Sequence, residues 1–387
     1  MKKFFVICLS VFVLMSMVAA CSTAFAANKV VKIGVFQALT GENGAGGKQQ
    51  TLGMQYGLAL TPTVEIAGET YDIEFVYADN QSSTAVSPSA AQTLVAAGVS
   101  IVLGSYGSGV SIAASDTFGD ARIPAIGITN TNPQVTLGND HYFRLCFLDP
   151  FQGTVLAQLS KEKFSAKKAY VLARQGDDYS VGLANYFMEA FGVENCTYEV
   201  FPAGTSDYSS YVATAKSLKA DVFFSPCSTE SAALIIDQAH TQALGIPILA
   251  GDTWDNNVVL EAAKGKDVQI FVTTFYQEGG TPAFDAGIKE WIKNDPTNLA
   301  NNGGNDIVSA GPAMCFDGFY VALEALKKAG STDPEKVLEA LRTVTYDGVT
   351  GFIAFDEIGD AKRDTAYIKS CNTAAGIWEF VGQQGIK

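Results

Sequence analysis

Short apolar runs rich in β-branched and aromatic residues alternate with longer segments of helical period from residue 29 onward. This order is typical of a parallel sheet covered by helices on both faces, and it occurs twice, the second series beginning after residues 141–147. The first series predicts strands at 30–38, 71–77, 100–104 and 123–128 and helices at 51–60, 86–97 and 109–118. The second predicts strands at 168–174, 197–201, 221–225 and 246–250 and helices at 151–162, 181–191, 208–218 and 231–244. The sequence therefore predicts an α/β fold with two doubly wound lobes.

The last part of the chain breaks this alternation. Helices predicted at 310–330 and 333–342 precede short strands predicted at 352–355, 366–371 and 377–380. Extra helices for one lobe followed by extra strands for the other imply a hinge with three crossings. We expect an N-terminal lobe of residues 29–142 plus 276–347, and a C-terminal lobe of residues 143–275 plus 348–387.

Residues 1–26 have the three-part pattern of a secretory signal peptide, with two lysines, an apolar run and small residues. Two cleavage sites compete within it. Residues 18–21 match a lipobox whose Cys21 would carry a lipid, and residues 24–26 match an ordinary signal-peptidase site. We favour the lipobox, and both sites predict an exported protein, either periplasmic or anchored to the outer face of the cytoplasmic membrane.

Composition and missing motifs exclude several function classes. The formal net charge is −14 and no block of Lys or Arg occurs outside the signal peptide, so nucleic acid is not expected as a partner. The chain lacks the G-x-S-x-G, H-E-x-x-H and Walker motifs, and its two histidines, His141 and His240, are expected on exposed faces. Its cysteines lack the spacing of a metal site. We expect no enzyme activity, no cofactor and no metal.

Four loops share one character, because each follows a predicted strand and carries glycine or hydroxyl residues just before a helix. They are residues 37–47, 105–108, 129–133 and 176–179. Backbone amides at a helix start together with Ser or Thr hydroxyls suit a carboxylate. Asp252 and Trp254, which follow a strand of the second lobe, could hold and flank an ammonium group, and Tyr179 offers a second aromatic wall. Contacts divided between two lobes are made together only when the cleft closes.

Several segments in order carry a resemblance to a known family: residues 143–153, 178–183, 251–255 and 350–356. With them, the chain from residue 31 to about 380 resembles the substrate-binding proteins of branched-chain amino acid ABC importers, which have the leucine-binding, type I periplasmic-binding fold. The resemblance implies a monomer that captures a small amino acid, branched-chain or otherwise apolar, and delivers it to ABC permease subunits. The same fold also binds urea, short amides or aromatic acids, and it also serves as a ligand sensor.

The resemblance also implies roles for individual residues. Ser108 and Thr131 would bind the ligand carboxylate, and Ser105 and Thr129 would add backbone or hydroxyl contacts. Tyr179 would close the cleft, and Asp252 would bind the amino group, with Asp255 as the alternative acid. The chain departs from its relatives at residues 227–230, where Cys-Ser-Thr-Glu stands in place of tyrosines, and at Asn130. These departures favour a more polar pocket, so leucine itself is not assured.

Overall fold

The first lobe is built on a six-stranded sheet. The computed structural model describes residues 28–385, and its first sheet has the strand order β2-β3-β1-β4-β5-β6. All neighbouring strands are parallel except β2 and β3. The strands are β1 (Lys29–Gln37), β2 (Thr63–Ile66), β3 (Glu69–Asp79), β4 (Ile101–Leu103), β5 (Ala125–Gly127) and β6 (Tyr142–Arg144). The first helices are α1 (Gly44–Leu60), α2 (Ser87–Ala97) and α3 (Ser108–Asp120).

The second lobe repeats the architecture with a seven-stranded sheet of order β15-β14-β11-β10-β9-β7-β8. Its parallel strands are β7 (Ala169–Arg174), β8 (Cys196–Phe201), β9 (Val222–Phe224), β10 (Ile248–Ala250) and β11 (Ile270–Thr274). Between them run α4 (Asp149–Phe164), α5 (Asp178–Phe191), α6 (Ser209–Ser217), α7 (Thr229–Thr241) and α8 (Asn257–Ala263). Central strands such as β9 and β11 are buried along their whole length, as a sheet covered on both faces requires.

The chain then returns to the first lobe before it completes the second sheet. The returning helices are α9 (Pro282–Lys293), α10 (Pro296–Asn301), α11 (Ala310–Ala329) and α12 (Pro334–Leu341). Helix α11 packs on α1 so closely that a Cβ at Gly53 would lie 1.8 Å from the Pro312 carbonyl oxygen. A hairpin follows, β12 (Thr345–Gly348) and β13 (Gly351–Ala354), and then the antiparallel strands β14 (Thr365–Asn372) and β15 (Ile377–Gly385). The prediction of two doubly wound lobes joined by a multi-crossing hinge is confirmed.

Several local expectations differ from the structure. Phe143 and Arg144, expected in the second lobe, pair with Ile126 and Gly127 in the first sheet, because the chain crosses only after β6. Strand β13 pairs with β12 rather than with the second sheet. Residues 44–47, expected as a loop, form the first turn of α1. His141, expected on an exposed face, is buried against Ser115.

The sequence prediction also omits β2, β11, β12, α8, α9 and α10. The signal peptide and Cys21 lie outside the described residues. Within residues 28–385, no helix is both long and apolar enough to cross a membrane. The five cysteines of this part of the chain are free thiols.

Candidate functional site

The predicted hydroxyl residues of the first lobe lie at the carboxyl ends of its central strands, where ligands bind in open α/β sheets. Ser105 follows β4, and its hydroxyl accepts a hydrogen bond from Asn80 Nδ2 at 2.8 Å. Thr129 follows β5, and its hydroxyl donates to Gln50 Oε1 at 2.8 Å. Both side chains are therefore engaged within their own lobe, and they support the site more than they offer free groups to it.

Ser108 and Thr131 differ in how much of their bonding capacity is used. The hydroxyl of Ser108, the first residue of α3, accepts the backbone N–H of Asn132 at 3.2 Å and ties the two loops together. Thr131 is fully buried, and its Oγ1 has no hydrogen-bond partner among the residues described. A buried hydroxyl without a partner is unfavourable unless a ligand completes it. The Thr131 hydroxyl adjoins the Asp149 carboxyl, whose pKa it lowers, and makes no closer hydrogen bond within the described residues.

An arginine that sequence reasoning missed fixes the Thr131 loop. Arg144 of β6 is completely buried, and its Nη1 donates to the backbone carbonyls of Asn130 at 2.9 Å and Asn132 at 2.6 Å. Its Nε donates to Asp360 Oδ1 at 2.8 Å, and Asp360 belongs to the last hinge crossing. The position of Thr131 is therefore coupled to the hinge. The signal available from sequence was an arginine within an otherwise apolar strand.

Asp252 provides the acidic group of the second lobe. It begins a single 3-10 turn after β10, and its Oδ1 accepts hydrogen bonds from Gln152 Nε2 at 3.0 Å and from the Tyr179 hydroxyl at 3.1 Å. No cation pairs with it in the described chain. Burial raises the pKa of this carboxyl to about 7. The structure thus brings Tyr179 and Asp252 together, and adds Gln152, which the sequence analysis did not select.

Asp255, the alternative acid, is already neutralised. Both of its oxygens lie within 3.1 Å of the Lys369 ammonium, and Oδ2 also accepts from Thr274 Oγ1 at 2.5 Å and from the backbone N–H of Ala310 at 3.0 Å. A carboxylate with these partners has little capacity for a further cation. Of the two acids, Asp252 is therefore the one without a cationic partner in residues 28–385.

Trp254 does not form a wall of the cleft. Its side chain is completely buried in the hydrophobic core of the second lobe, and its Nε1 donates to the Cys227 carbonyl at 3.2 Å. Tyr106 supplies an aromatic surface instead, with its hydroxyl donating to the Thr253 carbonyl of the other lobe at 2.8 Å. Its ring covers Gly46, where a Cβ would lie 2.4 Å from ring atoms. Tyr106 lies within the loop of residues 105–108, which was predicted from sequence to line the cleft, but Tyr106 itself was not predicted as a site residue.

A small cavity lies between the two lobes, and we call it the inner chamber. Its volume is about 10 Å³, so the lobes are closed against each other here. Its walls include Gln50, Tyr106, Thr129, Asp252, Phe275 and Ser309. The structure therefore brings Thr129 and Asp252 to one cavity from opposite lobes.

Asp149 is a further acid that sequence reasoning did not select. It begins α4 and is fully buried, and neither carboxylate oxygen has a hydrogen-bond partner in residues 28–385. Burial raises its pKa well above the ordinary range. Its backbone N–H donates to the Thr131 carbonyl at 2.9 Å, which places it beside the predicted carboxylate site.

The fold agrees with comparisons to known proteins. The family model "Periplasmic binding protein" matches residues 30–372. The chain belongs to this family. Leu/Ile/Val-binding protein homolog 1 of Brucella abortus (strain 2308) is 29% identical over 338 residues, covering 86% of this chain and 88% of the relative. The predicted resemblance to the branched-chain amino acid substrate-binding proteins is confirmed.

Two solved structures extend the comparison. The leucine binding protein LivK of Thermotoga maritima MSB8 has a TM-score of 0.79 and 29% identity, covering 92% of this chain and 99% of that one. The branched-chain amino acid transporter substrate binding protein LivJ of Streptococcus pneumoniae, in complex with isoleucine, has a TM-score of 0.78 and 25% identity, with the same coverage. Members of this family bind small molecules outside the cytoplasm and work with ABC permeases.

The raised pKa of Asp252 predicts a pH-dependent stability. The folded protein holds this proton more tightly than the unfolded chain, whose Asp pKa is 3.8. The contribution to the free energy of unfolding is therefore present below about pH 4 and is lost as the pH rises to about 7. Asp252→Asn should remove up to about 4 kcal/mol of this pH dependence. Denaturant unfolding without ligand at several pH values from 4 to 8 measures it.

The control is Asp237→Asn, which removes an exposed carboxylate that pairs with Lys266. This variant should keep the pH profile of the wild type between pH 5 and 7. Parallel profiles for the wild type and Asp252→Asn would show that Asp252 is ionised throughout.

Proposed function

We propose that this chain is the extracytoplasmic solute-binding component of an ABC importer and that it captures a small amino acid by closure of its two lobes. The observation that carries the proposal is the unpaired Asp252 carboxyl of the second lobe, which lines the same cavity as first-lobe hydroxyl residues. An acid and a hydroxyl loop on opposite lobes match the ammonium and carboxylate of an amino acid. The names of the relatives, which refer to Leu, Ile and Val, support the same ligand class.

Each end of the ligand has a defined set of partners in this proposal. Its carboxylate binds at the loops of Ser108 and Thr131, where the start of α3 adds backbone N–H donors. Its ammonium binds Asp252, which Tyr179 and Gln152 orient. Micromolar binding requires about 8 kcal/mol, which two charge-assisted clusters and modest apolar burial supply.

Contacts at the mouth of the cleft support closure. Glu42 of the first lobe pairs with Arg174 of the second at 3.2 Å. The Glu42 carbonyl also accepts from the Glu230 backbone N–H and from Thr229 Oγ1, both at 3.2 Å at the start of α7. Asn132 Nδ2 donates across the cleft to the Asp178 carbonyl at 2.8 Å. These bonds form between lobes, so they contribute only in the closed conformation.

Removal of the Glu42–Arg174 pair should shift the equilibrium toward the open form. Arg174→Met keeps the length of the side chain but loses the charge. Because the pair is largely but not fully buried, we expect the ligand Kd to rise about two- to fivefold, mainly through faster dissociation. Lys266→Met, which removes an ion pair within the second lobe, is the matched control. Stopped-flow measurement of ligand dissociation checks this, and an unchanged rate in Arg174→Met would contradict it.

Thr131→Ala tests the carboxylate site. Loss of one hydrogen bond to a charged group should weaken ligand binding by about 1 to 3 kcal/mol. Thr131→Ser should restore most of the affinity, because it retains the hydroxyl. Calorimetric titration measures both variants, with Thr214→Ala at a half-buried position of α6 as control. Equal affinity in Thr131→Ala and the wild type would assign the carboxylate to other residues.

The alternative ligands are urea, short amides and aromatic acids, and a sensor role is the alternative to transport. The raised pKa of Asp252 supports aromatic acids as the alternative ligands, since a protonated Asp252 tolerates a ligand without an ammonium group. The pH dependence of affinity separates the two classes. An ammonium ligand favours the ionised acid, so its affinity should rise with pH up to about 7 as binding releases a proton. A carboxylate ligand without an ammonium group should show the reverse.

A thermal-shift screen of amino acids, amides, urea and aromatic acids at pH 5.5, 7 and 8.5 tests the proposed function, since a ligand of the folded form raises the Tm. We expect stabilisation by amino acids that increases from pH 5.5 to pH 7 and is flattened by Asp252→Asn. Stabilisation by benzoate alone, strongest at pH 5.5, would replace the amino-acid assignment with the aromatic-acid one.

A further inference from the structure

Two buried polar groups of the inner chamber have no partner within the described residues. They are Nε2 of Gln50, on α1, and Oγ of Ser309, just before α11. Both side chains have 0% of their surface exposed. The other end of the Gln50 amide is held by the Thr129 hydroxyl at 2.8 Å, which leaves Nε2 as the free end. The Cys315 thiol adjoins Gln50, and a thiol is only a weak acceptor.

The free hydroxyl of Ser309 is unusual for its position. Ser309 is the N-cap residue of α11, where a serine hydroxyl commonly accepts a backbone N–H of its own helix. Here the hydroxyl makes no capping bond, and the N–H of Ala310 donates to Asp255 Oδ2 at 3.0 Å instead. Because Asp255 caps the start of α11, the serine hydroxyl remains available on the wall of the chamber.

These groups bear on the side chain of the ligand. In the function proposed above, Asp252 binds the ligand ammonium and the Thr131 loop binds its carboxylate. Gln50 Nε2 and Ser309 Oγ are then left to contact the side chain of the ligand. An aliphatic side chain would bury both without a partner, and each unmet bond weakens binding by roughly five- to a hundredfold. Sites built to bond a polar group strongly reject the analogue that lacks it.

The charges and size of the chamber further restrict which ligand side chains fit it. Lys369 neutralises Asp255, the ligand ammonium engages Asp252, and Gln50 and Ser309 are uncharged. Among the described residues that line the chamber, no charged group remains to balance a charged side chain. Tyr106 closes over Gly46, and Phe275 forms another wall, so the space is narrow. Resting on the proposed amino-acid function, we propose that the inner chamber selects an amino acid with a small uncharged side chain that accepts a hydrogen bond, a hydroxyl or a carboxamide, over branched aliphatic ones.

Two pairs of ligands of matched shape test this proposal. Threonine and valine differ by a hydroxyl in place of a methyl group, and asparagine and leucine differ by a carboxamide in place of an isopropyl group. Calorimetric titration of the full-length mature protein should give at least about tenfold tighter binding for threonine over valine and for asparagine over leucine. Gln50→Met and Ser309→Ala should each reduce these ratios, and the double variant should bring them close to one.

The control is Gln55→Met, which makes the same change on α1 at a glutamine that bonds Tyr77 instead of lining the chamber. It should leave both ratios unchanged. Thermal unfolding confirms that each variant folds. Valine and leucine binding as tightly as their polar counterparts would overturn this inference and leave the amino-acid function intact. Binding of none of the four by folded protein would overturn the amino-acid function itself.

Discussion

The Asp255 carboxylate holds the centre of the molecule together. Its partners are Thr274 at the end of β11, Lys369 on β14 and the backbone of Ala310 at the start of α11. Thr274 precedes the second hinge crossing, Ala310 belongs to the helix that returns to the first lobe, and Lys369 follows the third crossing. A buried ion pair is costly to form and more costly to break, because removing one partner leaves an uncompensated charge. The pair therefore fixes how the crossings meet, which gives the hinge a defined geometry.

The same interaction gives two neighbouring acids different roles. Asp252 and Asp255 lie one short turn apart, and both are buried. Lys369 satisfies Asp255, while burial raises the pKa of Asp252, which accepts only neutral donors. A buried carboxyl of this kind gains most from an external cation. The contacts of Tyr106, Glu42 and Asn132 bring the opposite lobe to this acid. In the proposed function, ligand binding and closure would therefore stabilise each other.

Sequence periodicity was sufficient for the repeated architecture. Four strands and three helices of the first series, and four strands and four helices of the second, follow from apolar runs and helical spacing. It failed where tertiary context decides. Helix α1 begins at Gly44, although a glycine-rich segment favours a loop. Gly47 within it reflects close packing rather than a turn, because a Cβ there would lie 1.9 Å from the Ala38 carbonyl oxygen. Strand β11 is a five-residue apolar and β-branched run that sequence reasoning passed over. Phe143 and Arg144 belong to the first sheet because of register, which composition does not encode.

The site shows the same division between local and distant information. The loops of Ser108 and Thr131 and the position of Asp252 follow from strand ends and from family resemblance. The choice between Asp252 and Asp255 depends on Lys369, which is 114 residues further along the chain than Asp255. Trp254 packs in the core rather than on the cleft because of the direction in which its turn faces. Gln50 and Ser309 could likewise not be selected from sequence, because they reach one cavity only through the packing of α1 against α11. The motifs that resemble the family are local in sequence, whereas the residues on which the proposed ligand preference rests form pairs that only the fold brings together.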